Sequence, residues 1–520
     1  MLKPLSAPIM ITVLLLAIGN LLNAAEISSN RVGGGAWSDP ATWHGGVVPG
    51  ASDDVVILKN DVVSFDRNDD GKVSCRKMQI DPKGVFTFKT SVGKAICCLG
   101  DALDISGVIK LDGTKSASDF FELRFVGATA DQRKIKLAKG AGLLLYGKAN
   151  LPDGRCNVAL RSPKIGEQKD DLVSIVEADG VVSIDWQRAY IHEVKLIAKK
   201  IDNTGAKPNE RLNLIDNQFT GQARVWLQYC DTPIISKNTF ECKTAKPIEE
   251  AAINVSYSPL TEIKGNTIKG GFAIGITVNN QSDSVLLNNT VEKCAAGITG
   301  GYGIPNTMLR GCVVRDCAVG IKLEGASGVV EHTVVESATT AFHMQNSNMQ
   351  LTHFVVKNLN PKGQAVLFDT GTLSLLNCNI APAQIKIGVQ PATAKTDPVT
   401  CVHYAIIAVK DAPADCLVDV RTTGLAADAN DPNVRNTPAP LAGGLSPLPK
   451  TLNPLTVKAW TFDLKGKLLA GPEYTVRVLG PAAKEGDARP VLKTTTFRPQ
   501  ESAFRAMPDD TTPTLEVKFK

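Results

Sequence analysis

The chain has 520 residues, 44 of them glycine, with 5% aromatic residues and a formal net charge of +5. Such a composition suits a turn-rich β protein, either two or three domains or one long solenoid with appendages, better than a helical one. So small a positive excess over this length argues against nucleic acid as the main partner and permits an acidic glycan without requiring one.

Residues 1–25 read as a signal peptide. Lys3 supplies the positive start, Ile9 to Ile18 the apolar core, and Asn23-Ala24-Ala25 a small-residue exit. Cleavage near Ala24 or Ala25 is one reading, and an uncleaved anchor is the other. No later stretch approaches the length of a membrane span. The expectation is a secreted, periplasmic or cell-surface protein with no membrane span after signal cleavage.

Residues 26–149 are expected to form a β-rich domain. Val55–Leu58, Val62–Phe65, Val85–Phe88 and Val108–Leu111 are short strands separated by Gly, Asp and Pro turns. The opening carries Trp37-Ser38-Asp39-Pro40, Thr42-Trp43, Gly45-Gly46, Pro49-Gly50 and the strand Asp54-Val55-Val56-Ile57. These pieces resemble the start of the eight-glycine extracellular domain, a module of hyaluronan-depolymerising cell-surface proteins, fibrocystins and bacterial relatives. The likeness runs over about 33–148 and implies a glycan-facing setting. Trp37 and Trp43 have two readings: stacking on sugar rings, or packing the end of a solenoid that would otherwise invite edge pairing.

Within this region Asp66 to Ser74 follows the first nine places of a calcium loop, with Asp66, Asn68 and Asp70 as candidate ligands for calcium. The twelfth place is Lys77, where a bidentate acid belongs, so an ordinary acidic turn is the competing reading.

Residues 150–427 are expected to form a right-handed parallel β-helix. Residues 150–212 alternate as strands do and include Asp185-Trp186 and His192-Glu193, with His192 read as structural. From Leu212 to Ile380 one phrase then recurs, marked by Asn217, Asn238, Asn266, Asn289, Cys312, His332, His353 and Asn377. The spacings are 21, 28, 23, 23, 20, 21 and 24 residues. A unit of that size with short strands cannot bury its own apolar side, but stacked coils can, with backbone hydrogen bonds at about 4.8 Å. A recurring amide at a tight turn satisfies backbone groups of adjacent rungs, so the marked residues are expected to be structural. The phrases NTV…CAAGI and CVV…CAVGI (289–298 and 312–321) resemble the repeats of right-handed parallel β-helix proteins of the pectate-lyase-like superfamily. That resemblance implies the fold; its members include polysaccharide lyases, glycoside hydrolases and proteins without shown activity.

Twelve cysteines in an exported chain permit disulfides. Cys294 and Cys317 occupy the same place in adjacent repeats, and either a disulfide or a column of stacked thiols fits. Vicinal Cys97 and Cys98 alternate faces of a strand and are not expected to bond. Residues 381–427 read as irregular last coils, with Cys401 and Cys416 as a closing pair. Residues 428–454 are a Pro-rich linker, and 455–520 a small β-sandwich-like module of at least four strands.

Chemistry on a solenoid belongs on outward strand positions, because inward ones fill the core. Aligned strands give one outward column of Thr277, Thr299, Lys322 and His343, and another of Asn279, Gly301, Glu324, Gln345 and Asp369. Lys322, Glu324, His343 and Asp369 are thus candidate catalytic residues, with Gln345 as a substrate-binding one; a merely solvated face is the alternative. No Asp cluster with Gly-His-Gly and Arg-x-Lys is present, and no stepped set of acidic calcium ligands beside an Arg. Two functions therefore stay open: an exported protein that binds polysaccharide or acts at the cell surface, and a lyase or glycoside hydrolase cutting an acidic or matrix-type glycan.

Overall fold

The computed structural model describes residues 25–89, 93–152, 155–162, 174–180, 182–201, 211–244, 247–280, 282–388, 397–410, 417–422, 455–463, 465–471, 473–481, 483–484, 489–498 and 514–518. Residues 1–24 of the expected signal peptide, the expected linker 428–454 and Cys416 lie outside them. The described residues are nearly all β, wound as a right-handed parallel β-helix. The chain divides into two compact units, Met1–Ala245 and Lys246–Lys520.

In the first unit each coil contributes strands to three parallel sheets. On the first sheet an inward column runs Val55, Met78, Leu103, Ile135, Val176, Leu196 and Val225, each in register with the next. On the second it runs Val63, Phe86, Ile109, Leu143, Ile184 and Leu212. On the third it runs Cys97, Leu123, Leu160, Ile191, Phe219 and Phe240. All of these are buried. Period-two alternation sends one face of every strand inward, and each large apolar side chain so buried contributes about 1.5–3 kcal/mol. The winding already holds at Glu26–Ser28, which pairs with Asp54–Ile57. Residues 26–149 are therefore coils of the same kind as those that follow.

The second unit repeats the plan. Ile253, Ile276, Ile298, Ile321, Phe342, Val366 and Ile385 stack on one sheet. Ile263, Leu286, Leu309, Val330, Leu351 and Leu375 stack on the next, and Ile268, Val291, Val314, Val335 and Val356 on the third. The glycine of the AAGI and AVGI phrases has a packing cause. A Cβ at Gly297 would lie 2.3 Å from the Val314 side chain and 2.5 Å from the Gly320 carbonyl oxygen, and Gly275 and Gly320 are as crowded.

The recurring amides sit at one corner, each directly after a residue in the left-handed region: Asp216, Lys237, Gly265 and Asn288. Asn217, Asn238, Asn266 and Asn289 are 0–1% exposed. Within the first unit the Asn238 amide donates to Leu214 O at 2.7 Å and accepts from the Asn217 N–H at 2.9 Å. Within the second, Asn289 donates to Ile263 O at 2.8 Å and accepts from the Asn266 N–H at 3.0 Å. Each amide so placed clamps the coil before it. Cys312 keeps the same place, its thiol donating to Leu286 O at 3.6 Å.

The alignment of the last three marked residues is corrected by one position. His332, His353 and Asn377 are themselves the left-handed residues, with φ of 45°, 49° and 50°. The inward place belongs to Thr333, Phe354 and Cys378. The histidines form a separate corner column, with rings 4.7 Å apart and the Asn377 amide 3.0 Å from His353 Nε2.

At the end of the second unit, residues expected to be irregular coils form strands. Val399–Lys410 first pairs parallel with Gly371–Leu376, then antiparallel with Leu455–Phe462 and parallel with Thr514–Lys518. Leu417–Thr422 joins Tyr474–Leu479 and Val491–Phe497 in an antiparallel sheet. The terminal β module thus draws strands from both sides of the connector.

Candidate functional site

The two outward columns anticipated from sequence are present in the second unit. Thr277, Thr299, Lys322 and His343 stand in register on successive strands, as do Asn279, Gly301, Glu324 and Gln345. The alternation explains their direction: Ile276, Ile298, Ile321 and Phe342 beside them point into the core. The Asp369 N–H donates to Met344 O at 2.9 Å, which sets this carboxylate on the coil after Gln345.

His343 Nε2 lies 2.9 Å from Asp369 Oδ2. The ring is 19% exposed and the carboxylate 38%, so the pair is reachable from outside while the ring is held. With Asp369 ionised, Nε2 carries the proton and Nδ1 is left as the basic nitrogen. Lys322 occupies the rung before His343, and Glu324 stands beside Gln345. Toward earlier coils the column turns neutral: the Thr299 hydroxyl donates to Thr277 Oγ1 at 2.7 Å, and the Asn279 amide donates to the same oxygen at 3.3 Å. One strip therefore offers a cation, a held imidazole, two carboxylates and a run of hydroxyl and amide groups.

The tryptophan candidates are corrected. Trp37 and Trp43 are 0% and 2% exposed, with ring centroids 4.9 Å apart, and Trp43 Nε1 donates to Trp37 O at 2.8 Å. Trp37 also packs edge-on against Phe65 and Phe86 at 5.2 and 5.9 Å. Neither indole presents a face to a sugar. Both fill the core at the first described coil, whose strand Gly34–Ala36 pairs with Val62–Phe65, so that Trp37 covers Phe65 of the next coil.

Asp66, Asn68 and Asp70 do not share one centre. Asp66 accepts from the Ser38 N–H at 3.0 Å and the Ser38 hydroxyl at 2.6 Å. Asn68 Oδ1 accepts from the Asp70 N–H at 3.3 Å. Asp70 pairs with Arg124 at 2.5 Å, and that guanidinium holds its carboxyl below the usual carboxylate range. The intervening Asp69 pairs with Arg67 at 3.0 Å. The segment is used as a coil wall: Asn68 and Cys75 bridge Ile96 and Leu99. Arginines thus supply the positive charge that a cation would bring. Among the described residues no group of three His, Cys, Asp or Glu side chains stands close enough to hold a metal ion.

Cys294 and Cys317 stand as thiols, donating to Glu292 O and Arg315 O, so the column is one of stacked thiols. Burial pushes the Cys317 thiol up to about 11. His192 keeps its structural reading, with Nδ1 3.0 Å from Thr220 Oγ1. Asp185 has a partner that the sequence does not reveal: the Tyr146 hydroxyl donates to its Oδ2 at 3.0 Å, and the Gln187 amide to its Oδ1 at 2.9 Å. Burial, then the Asp185 charge, raises the Tyr146 pKa.

A family model described as right handed beta helix region matches residues 191–307. The sequence matches no curated protein. Among solved structures the chain is similar to the periplasmic alginate epimerase AlgG, at 14% identity over 58% of this chain and 77% of that one, with a TM-score of 0.30. A double mutant of that enzyme aligns at 13% identity over 60% and 79%, with a TM-score of 0.31.

Proposed function

We propose that the chain is an exported β-helix protein that binds polysaccharide along the outward strip from Thr277 to Asp369. The observation that supports this reading is the pair of in-register polar columns on one sheet of the second unit. Parallel rungs lie about 4.8 Å apart, so hydrogen-bonding groups recur along the strip at a short, regular interval suited to an extended glycan. The likeness of residues 33–148 to the eight-glycine domain agrees with a cell-surface or periplasmic setting.

The test is a glycan-array screen of the secreted chain, followed by titration of each hit with Lys322→Ala and Gln345→Ala. The expected result is retained folding with affinity lowered about tenfold for Lys322→Ala. Unchanged affinity in both variants would reject the strip as the binding face.

The His343–Asp369 hydrogen bond favours a second reading, an enzyme cutting an acidic or matrix-type glycan. In it His343 Nδ1 takes the proton next to a sugar carboxylate, Lys322 neutralises that carboxylate, and the electron pair forms a ring double bond as the glycosidic oxygen leaves. Glu324, protonated, would deliver the proton to that oxygen. Absorbance of unsaturated products reports this lyase route. New reducing ends without absorbance report hydrolysis, and binding without either supports the first reading.

A further inference from the structure

Glycine inside a strand weakens it, so each one on the solenoid wall needs a cause. Gly275, Gly297 and Gly320 have one in packing, since a Cβ at each would lie 2.3–2.5 Å from a valine side chain. Gly311 and Gly325 have one in the turn, with φ of 63° and 62°. Gly301 has neither. It stands at an outward position of the strip, in register with Asn279 on the coil before and Glu324 on the coil after. Its φ is outside the left-handed region, and a Cβ there would find its nearest atoms at 3.5, 3.9 and 4.0 Å, which are ordinary contacts.

The missing side chain leaves a gap in the column, with Gly301 buried at its base and Asn279, Thr299 and Glu324 half-buried around it. Acceptors face this gap. The Asn279 amide nitrogen is turned toward Thr277 Oγ1 at 3.3 Å, and its Oδ1 lies 3.5 Å from the place a Gly301 Cβ would take. The Thr299 hydroxyl gives its proton to Thr277 Oγ1 at 2.7 Å and is left as an acceptor. Glu324 adds a carboxylate. Of the four outward residues in register with Thr299 and Gly301, Lys322 is positive, Glu324 negative, and Thr277 and Asn279 neutral, so the charges balance.

We infer that Gly301 is a specificity-determining position of the strip, leaving a seat for a sugar substituent that donates hydrogen bonds, an acetamido or a hydroxymethyl group. The inference rests on the polysaccharide reading above and deepens it, by naming the substituent that the strip selects. Half-buried acceptors discriminate against a group that cannot donate to them, and Glu324 repels a ring carboxylate at this rung. A carboxylate suits the Lys322 position instead, one column across and one rung on. The competing account is that Gly301 eases the register shift that follows it, between Gly301 and Ile304.

The experiment is calorimetric titration of the full chain with hexamers of chitin, cellulose and polygalacturonate, alongside thermal unfolding. Wild type, Gly301→Ala and Gly301→Gln are compared. Gly301→Ala is expected to unfold no more than about 5 °C below the wild type, because a Cβ fits there. A larger drop assigns the glycine to the register shift and overturns the inference. Gly301→Gln, whose longer side chain fills the seat, is expected to weaken the chitin or the cellulose hexamer about tenfold, with polygalacturonate changed less than twofold. Loss confined to chitin assigns the seat to the acetamido group, and loss shared with cellulose assigns it to the hydroxymethyl group. Unchanged affinity of Gly301→Gln for every hexamer that the wild type binds overturns this inference alone. So does a fall for polygalacturonate as large as for the others, or a wild type that binds polygalacturonate only. Absence of wild-type binding to any hexamer and to any glycan of the array overturns the polysaccharide reading as well.

Discussion

Asn238 Oδ1 accepts both the backbone N–H and the side-chain amide of Asn217, each at 2.9 Å, from one coil to the next. Both residues are buried, so those donors have no water to fall back on. Asn238→Ala also strips Leu214 O of its side-chain donor. At about 1–3 kcal/mol per stranded buried group, a loss of about 3 kcal/mol is expected. Chemical denaturation of the variant checks it, and a loss under 1 kcal/mol would show that the corner column is dispensable.

Gly297→Ala, which adds a single methyl group, should cost nearly as much. Its new methyl would meet the Val314 side chain and the Gly320 carbonyl, and overpacking of that kind costs about 1–3 kcal/mol. A lowered unfolding midpoint with an unchanged denaturant slope is the expected signature.

Trp37→Ala should destabilise by about 3–5 kcal/mol, as removal of a fully buried indole does. Trp43→Phe loses the hydrogen bond to Trp37 O and part of the buried ring but keeps an aromatic in place, and should cost less, about 1–3 kcal/mol. Neither change should alter glycan affinity in protein that remains folded, which separates a core role from a sugar-stacking one by titration.

His343 should be a single tautomer with the proton on Nε2, because Asp369 accepts there. Nitrogen-15 chemical shifts of the ring report it directly. In Asp369→Asn the tautomers should mix, and any polysaccharide cleavage should fall about 100-fold while binding changes less than threefold. Equal loss of binding and cleavage would assign Asp369 to substrate contact instead.

Cys317 should be silent toward a disulfide reagent at pH 8 in the native chain and react once it is unfolded. Burial holds the folded thiol near 11 against an ordinary 9, so the unfolded chain loses the proton first as pH rises. The stability contribution is complete below pH 9 and lost between 9 and about 11. Denaturation midpoints measured across that window, in wild type and Cys317→Ala, test the sign.

Repeat length, strand alternation and turn residues were enough to establish the all-β solenoid, because each coil must bury its apolar side on a neighbour and only a stacked winding does so over 20–28 residues. The same alternation placed Lys322 beside His343 and Glu324 beside Gln345, since period two fixes direction along a strand. Other relationships were settled only by the folded chain. Whether His332 faces in or out turned on a one-residue step at a corner, where left-handed backbone breaks the alternation. The partners of Asp70 and Asp185 come from strands 54 and 39 residues away, distances at which local spacing carries no information. Trp37 and Trp226 look alike as sequence; one is sealed in the core and the other lies under two lysines, because burial depends on which coils stack over a residue and not on the residue itself.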